Sequence, residues 1–387
     1  MPEIKNLKKT AERIKKAIKN EEKIILYGDA DLDGVTSVII LKETIKNLGG
    51  KIAAVYFPDR EKEGYGITET GLNYLKKFSP ALLVALDMGI GNFEEVKLAK
   101  KLGFGVIIID HHEVLDKLPE VEIIVDPKQK GDESPFKYLA TVGIVYKLSE
   151  LLFSPKMNEH LRESFLELVA LGTIADAMPR EGENKIMIEE GVRSLGTSWR
   201  PGIEVFLKEK SFDYYESIFQ KISRIISLLN IRDIENQLPA SYRFLTAVSK
   251  EETKELLSKL MEKSLERKEK RREIMKEIEE RISQKEELII FEGDSSWELI
   301  LLGSIASAIS RQYKKPAFLF KKGKKESQGT IRTTSSDEDL VAAMKSCSEF
   351  LETFGGHQKA AGFRIKNENL EKFKECLIKY FEDICKK

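Results

Sequence analysis

Short, nearly unbroken apolar runs recur through the first third of the chain, and amphipathic stretches separate them. KIILYG (23–28), KIAAVYF (51–57), ALLVALD (81–87), GVIIID (105–110) and VEIIVDP (121–127) read as strands. A helix opens near Gly34, helical spacing follows near 67–78 and 92–102, and further helices cover about 138–153 and 159–175. Strands that are apolar on both faces and spaced by helices predict an α/β fold: a doubly wound, mostly parallel sheet covered on both sides. This first domain is placed at 1–195. Residues 196–249 show no clean period. Residues 250–286 form one long charged helix with a broken apolar stripe of Leu257, Met261, Leu265, Ile274, Ile278 and Ile282. The charge run Glu266–Arg272 marks it as solvated, so 196–286 reads as a connector. Alternation resumes with ELIIFEG (287–293), a helix near 302–312, PAFLF (316–320), SQGTIRTT (327–334) and a closing helix over 367–384. A smaller α/β domain over 287–387 is the expectation.

Length and charge narrow the function classes. The chain has 387 residues, 41% hydrophobic and 33% charged, enough apolar material for more than one core and too much for a disordered chain. Its 64 basic and 64 acidic side chains cancel, so nucleic-acid binding must come from local patches. The Lys- and Glu-rich composition leans towards a thermophile. The three cysteines, Cys347, Cys376 and Cys385, make no C-x-x-C pair. Neither a disulfide framework nor a cysteine zinc site is expected, and a reduced, cytoplasmic setting follows. No run reaches the ~20 apolar residues of a membrane span, and the charged amphipathic N-terminus does not read as a secretory signal.

The chemistry lies where the aspartates fall. Asp29, Asp31 and Asp33 alternate in GDADLDG after the first strand, Asp87 ends ALLVALD, and Asp110 is followed at once by His111 and His112. Asp176 stands at a helix end in LVALGTIADAMP. In a doubly wound sheet these strand ends converge on one edge. So many carboxylates repel one another unless divalent cations neutralise them. An Asp/His donor set without thiolate suits Mn²⁺, with Mg²⁺ as the alternative, and the count suffices for two ions sharing a carboxylate. Two such ions ~3.5–4 Å apart clamp a phosphate and activate a water, which predicts phosphate-ester hydrolysis. Each piece alone has a bland reading: D-x-D-x-D-G resembles a calcium loop, Gly34 a helix cap and Asp87 a loop cap. His160, in a polar helical stretch, reads as surface.

These motifs together resemble the DHH-superfamily phosphoesterases, specifically the RecJ-type single-strand exonucleases, over nearly the whole chain. GDADLDGVTS (28–37), PDREKEGYGIT (58–68), LVALDMG (83–89), IIIDHHEV (107–114), VDPKQ (125–129), LATVGIVYKL (139–148), LGTIADAMP (171–179), RPGIEVF (200–206) and FGGHQKAAGF (354–363) occur in the family's order. The resemblance implies that Asp31 ligates one ion with Asp29 beside it, that Asp33, His111 and Asp176 hold the other, and that Asp87 bridges. It implies that His112 contacts the scissile phosphate and that Asp110 orients the imidazoles. Gly355, Gly356 and His357 would bind substrate with Arg332, Arg60 would pair with a phosphate and Tyr65 would stack on a base. Lys321, Lys322, Lys324 and Lys325 form a basic loop near Arg332, and Phe354 reads as packing. An Asn-x-x-Gly-Arg element common in the family is reduced here to Asn230, with Arg232 out of register. The compact length is similar to that of archaeal RecJ-like nucleases, which act with replication or repair proteins such as a helicase. The implied function is a metal-dependent exonuclease on single-stranded DNA or RNA, the two domains facing each other across a cleft. The alternatives are a phosphodiesterase of short oligonucleotides or nucleotide bisphosphates, and a non-catalytic replication scaffold.

Overall fold

The computed structural model describes residues 3–60, 62–114, 117–231, 233–283, 287–335 and 338–385, leaving aside the side chains of residues 357, 384 and 385. The chain divides into two units, 1–262 and 263–387.

In the first unit, helix α1 (Leu7–Lys19) precedes strands β1 (Ile24–Gly28), β2 (Ile52–Tyr56), β3 (Ala81–Leu86), β4 (Phe104–Ile109) and β5 (Ile123–Val125). Helices α2 (Leu32–Asn47), α3 (Glu69–Leu75) and α4 (Phe93–Lys101) connect the first four of these strands. Every pairing is parallel and the order is β2-β1-β3-β4-β5, the doubly wound sheet the apolar runs predict. The period of two explains why the strands carry no polar face. Ile24, Leu26, Leu82, Val84 and Leu86 join one core, while Ile25, Tyr27, Leu83 and Ala85 join the core on the opposite face. The chain steps outward from β1 to β2 and then crosses back to β3. That reversal opens a crevice beyond the carboxyl ends of β1 and β3, where ligands bind in such sheets.

Helices α5 (Thr141–Leu152), α6 (Glu159–Ala175) and α7 (Gly182–Leu195) share a core with α2. Residues without a clean period then form α8 (Pro201–Leu207), α9 (Ile218–Leu229), a short hairpin of β6 (Ile234–Glu235) and β7 (Leu238–Pro239), and α10 (Ala240–Thr246). Ile203, Phe206, Ile225 and Phe244 from this stretch enter the same core. Arg200 is buried there, its guanidinium donating to both carboxylate oxygens of Glu43 at 2.9 and 2.8 Å.

The long helix α11 (Lys250–Ile282) is not simply solvated. Leu256, Leu257 and Leu260 lie in the first unit's core, and Ile274 and Ile278 in a core of the second. Its middle is open, with Leu265 57% exposed. Two short apolar patches, each buried against a different unit, explain the broken stripe.

The second unit comprises β8 (Ile290–Asp294), α12 (Leu299–Tyr313), β9 (Ala317–Lys322), β10 (Glu326–Arg332), α13 (Leu340–Ser346), β11 (Leu351–His357), β12 (Ala360–Lys366) and α14 (Leu370–Cys385). The sheet order is β11-β12-β10-β9-β8, parallel between β8 and β9 and antiparallel elsewhere. FGGHQKAAGF is therefore a hairpin, with Gly355 opposite Gly362. Phe354, expected to pack, is instead 37% exposed on the edge strand. Among the described residues no helix is long and apolar enough to cross a membrane.

The expectation of no disulfide is corrected: Cys347, at the end of α13, is bonded to Cys376 of α14, 29 residues on. Spacing could not show this, because only the tertiary packing of the two helices brings the sulfurs together. The cysteines therefore carry no statement about compartment. Closing a loop of that length restricts the unfolded chain by an amount worth about 3.6 kcal/mol. Reduction should lower the unfolding free energy of the second unit by roughly that much in chemical denaturation, and a Cys347→Ser variant should show no further loss on reduction.

Candidate metal centre

Asp29, Asp87 and Asp110 each follow the last residue of a neighbouring strand, so the sheet itself sets their spacing. The turn after β1 is tight. A Cβ on Gly34 would lie 2.4 Å from the Asp29 carbonyl oxygen, so only glycine lets α2 begin this close to the strand end. Asp31 caps α2, accepting from the Gly34 N–H at 3.1 Å. Asp87 has φ 65° and the residue after Asp176, Ala177, has φ 56°. Left-handed backbone at a non-glycine residue is costly, and it falls here at one candidate ligand, Asp87, and immediately after another, Asp176.

His111 stands at the centre. Its Nε2 lies 3.4 Å from Asp87 Oδ1, 3.4 Å from Asp176 Oδ2 and 3.8 Å from Asp33 Oδ2. Three sets of potential ligand atoms fall within 4.8 Å of one another: Asp33, His111 and Asp176; Asp29, Asp31 and Asp87; and Asp87, His111 and His112. The seven residues expected to form the site are thus brought together. Burial disfavours the ionised forms of Asp33 and Asp87, and neighbouring Asp176, Asp33 and Asp31 add to the effect, so both pKa values lie well above the usual range. Burial and then Asp31 push Asp176 up to about 6. Burial and Asp31 also raise Asp29, partly offset by Arg60.

The two adjacent imidazoles take opposite charge states. Burial, then the positive neighbour His112, lowers His111 to about 4, leaving a neutral ring with a free lone pair. Burial also opposes charge on His112, but the Asp110 carboxylate, 2.7 Å from Nδ1, outweighs it and raises the ring to about 9. Asp110 in turn is held low by His112 despite burial, and accepts from the His111 and Ile90 N–H groups. Tyr65, 54% exposed, places its hydroxyl 3.3 Å from His112 Nε2.

Arg60 does not project freely. It donates to both oxygens of Asp29 and to Asp31 at 3.0 Å, and its guanidinium lies 5.3 Å from the centroid of the Tyr65 ring. Several partners escaped the sequence reading. The backbone N–H groups of Thr141 and Val142, at the start of α5, donate to the two Asp33 oxygens at 2.8 Å each, and Thr141 Oγ1 to Asp87 at 3.1 Å. The only signal was the position of LAT at a helix start. Asp126, after β5, is raised to about 7 by burial, with one oxygen lacking a hydrogen-bond partner. Lys128 pairs with Glu113 at 2.8 Å and lowers Asp176 through its charge.

The donor set fits hard divalent cations. Both ring nitrogens of His111 and Asp176 Oδ2 are buried with no hydrogen-bond partner, an arrangement that proteins rarely leave uncompensated. Oxygen donors with one neutral imidazole match Mn²⁺ or Mg²⁺.

Other expected residues fall elsewhere. Asn230 is the exposed C-cap of α9, Arg232 lies outside the described residues, and His160 is on the surface with its side chain 91% exposed. In the second unit Arg332 donates to Thr330 Oγ1 and the Ile331 carbonyl at 2.7 Å, with no carboxylate among those partners. Lys321 and Lys322 end β9, and Lys324 and Lys325 lie in the turn before β10. Gly356 has φ 143° and a Cβ there would meet the β12 backbone at 2.5 Å, so the hairpin itself demands it, whereas Gly355 faces open space. His357 is the last residue of β11, and its side chain lies outside the described set.

Comparison with known proteins agrees with this architecture. Residues 23–173 match the family model described as "DHH family, N-terminal domain", and residues 286–383 match the "DHHA1 domain". The chain is 32% identical over 374 residues to the single-stranded-DNA-specific exonuclease RecJ of Bacillus subtilis, covering 95% of this chain and 47% of that protein. It resembles a crystal structure of exonuclease RecJ bound to manganese, with TM-score 0.82 and 25% identity, covering 98% of this chain and 94% of that one. RecJ of Thermus thermophilus in complex with Mn²⁺ superposes at TM-score 0.80 with 23% identity, over 97% of this chain and 55% of the other. The chain spans about half the length of the Bacillus and Thermus relatives it matches. With both domain models matched in sequence order and a fold similar to that of RecJ, the chain carries a DHH-family N-terminal domain followed by a DHHA1 domain.

Proposed function

We propose that this chain is a divalent-metal-dependent exonuclease that hydrolyses phosphodiester bonds of single-stranded nucleic acid, working in the cytoplasm alongside replication or repair proteins. The observation that carries the reading is the buried His111 with its unpartnered ring nitrogens amid Asp33, Asp87 and Asp176. Asp33, His111 and Asp176 would hold one cation, Asp31 with Asp29 the other, and Asp87 would reach both. Bound there, Mn²⁺ or Mg²⁺ supplies charge neutralisation, polarises the phosphoryl oxygen and acidifies a water.

The chain's own residues do the rest. The Thr141 and Val142 N–H groups fix Asp33, and the Thr141 hydroxyl fixes Asp87. His112, charged at neutral pH and oriented by Asp110, is placed to hydrogen-bond a phosphoryl oxygen and to give its proton to the leaving oxygen. When a phosphate binds, Arg60 can transfer a guanidinium N–H to it from Asp31. In the second unit Arg332, Gly355, Gly356 and His357 are the proposed strand contacts. Specificity rests on backbone charge and stacking, so single strands are favoured without reference to base sequence.

Single strands of DNA and of RNA, labelled at either end, offered with Mn²⁺ and with EDTA, test this directly. Mn²⁺-dependent release of mononucleotides from strands of ~20 nucleotides is the expected result, with rates falling steeply between about 50 and 200 mM salt. Hydrolysis restricted to two- to five-nucleotide substrates, or none with any divalent cation, would sink the reading.

A further inference from the structure

Beyond the metal centre, α9 presents a face that the proposed chemistry does not use. Ile222, Ile225, Ile226 and Leu229 bury one side of this helix in the first core. The opposite side, with Tyr215 just before it, lines an open groove of about 410 Å³ formed by Tyr215, Phe219, Gln220, Ser223, Arg224 and Ser227. Two aromatic rings, one guanidinium and three neutral polar side chains make up that lining, and among the described residues no carboxylate enters it. Phe219 is 41% exposed, an unusual place for a large ring on a helix anchored by four other apolar residues. The Arg180 guanidinium lies over it, 5.7 Å from the ring centroid.

The helix is held firmly. Ser217 and Gln220 form a reciprocal cap at its start, the Gln220 N–H donating to Ser217 Oγ at 3.2 Å and the Ser217 N–H to Gln220 Oε1 at 3.4 Å. Arg180 follows the proposed ligand Asp176 by four positions, a reach of at most about 14 Å along the chain. The side chain over Phe219 is thus tied to a proposed metal ligand by a short stretch of chain.

We propose that this groove is a stacking and backbone-binding site for single-stranded nucleic acid, with Phe219 as the base platform and Arg180 and Arg224 as the phosphate contacts. A ring with one guanidinium over it, a second guanidinium in the same groove, neutral hydrogen-bonding side chains and no carboxylate in the lining match a polyanion bearing flat bases. The inference rests on the exonuclease reading and names where the strand continues beyond the cleaved bond. The same face would take a protein partner only by leaving strand affinity untouched.

Fluorescence anisotropy with an oligothymidylate of about 20 nucleotides, in EDTA so that no cleavage occurs, tests the groove apart from the catalysis. Phe219→Ala should raise Kd roughly 5- to 100-fold, and Phe219→Trp should restore binding, its emission being quenched on titration with the strand. Arg180→Gln and Arg224→Gln should each lower the slope of log Kd against log salt by about one unit. A strand affinity and salt slope within twofold of the parent in Phe219→Ala and both Arg variants, or an unmodified chain that binds no strand in EDTA, overturns the groove. If Mn²⁺-dependent hydrolysis persists in that case, the proposed function stands without the groove. Binding through Phe219 in a chain that hydrolyses nothing retains the groove and removes the proposed function.

Discussion

Asp87→Asn should leave a folded protein whose Mn²⁺-dependent hydrolysis of single strands is slower by about 10³-fold or more. Loss of a single preorganised hydrogen-bond donor costs an enzyme about 10²–10³, and loss of a group that merely supports a metal ligand about 10–100. Asp87 is the ligand proposed to reach both cations, so its removal sits at the upper end. Asparagine is the informative replacement because it tolerates the left-handed backbone at φ 65° and keeps the side-chain shape. It also removes one of several mutually repelling carboxylates. The pKa of Asp87 lies well above the usual range through burial and then Asp33, so its ionised form works against folding when no cation is present. The metal-free variant should therefore melt no lower than the parent at neutral pH, which separates a lost site from a lost fold. His111→Ala should lose activity to a similar extent. Parental rates in both purified variants, measured on the same end-labelled strand, would refute the site assignment.

Stability of the metal-free chain should fall as pH rises from about 4 to about 7, and divalent cations should reverse that fall. Burial raises Asp126 and Glu167 to about 7 and Asp176 to about 6, and it raises Asp33 and Asp87 well above the usual carboxylate range. A carboxyl whose folded pKa exceeds its unfolded value binds more protons when folded, so its contribution is favourable at low pH and is lost as pH climbs from the unfolded pKa to the folded one. The losses from these groups add across that window. His111, lowered to about 4, works in the opposite sense within this window but is outnumbered by the raised carboxyls, and Asp110, held low by His112 despite its burial, does so only at more acid pH. Mn²⁺ at about 100 times its Kd adds about 2.7 kcal/mol. Because the ligands must be ionised to bind, the thermal shift should be larger near pH 8 than near pH 5. Melting curves at both values, with EDTA and with Mn²⁺, check this. An equal shift at both, or none, counts against carboxylate ligation.

Features legible in the sequence were those encoded locally. Apolar runs set the strands, and residues immediately after them must lie at the sheet edge, so Asp29, Asp87, Asp110 and His111 could be placed before any coordinates. The opposite charge states of His111 and His112 were not legible, because they depend on which ring meets Asp110 and which is enclosed. The Thr141 and Val142 amides were invisible for a related reason: a backbone N–H has no signature, and its partner Asp33 lies 108 residues away from Thr141. Paired glycines break the strand alternation in FGGHQKAAGF, which hid the β11–β12 hairpin. Residues 196–246 were hard to divide because α8 and α10 are only seven residues each and a hairpin of two-residue strands separates α9 from α10. The Cys347–Cys376 bond is set by helix packing alone.

The close approach at Gly34 leaves this protein with a steric ceiling over its first acidic motif. A single methyl group there would lift the start of α2 away from the end of β1 and carry Asp31 and Asp33 with it, displacing candidate ligands of both cations at once. Affinity for such ions would therefore depend partly on an atom that is missing, at a position with no side chain to offer a ligand.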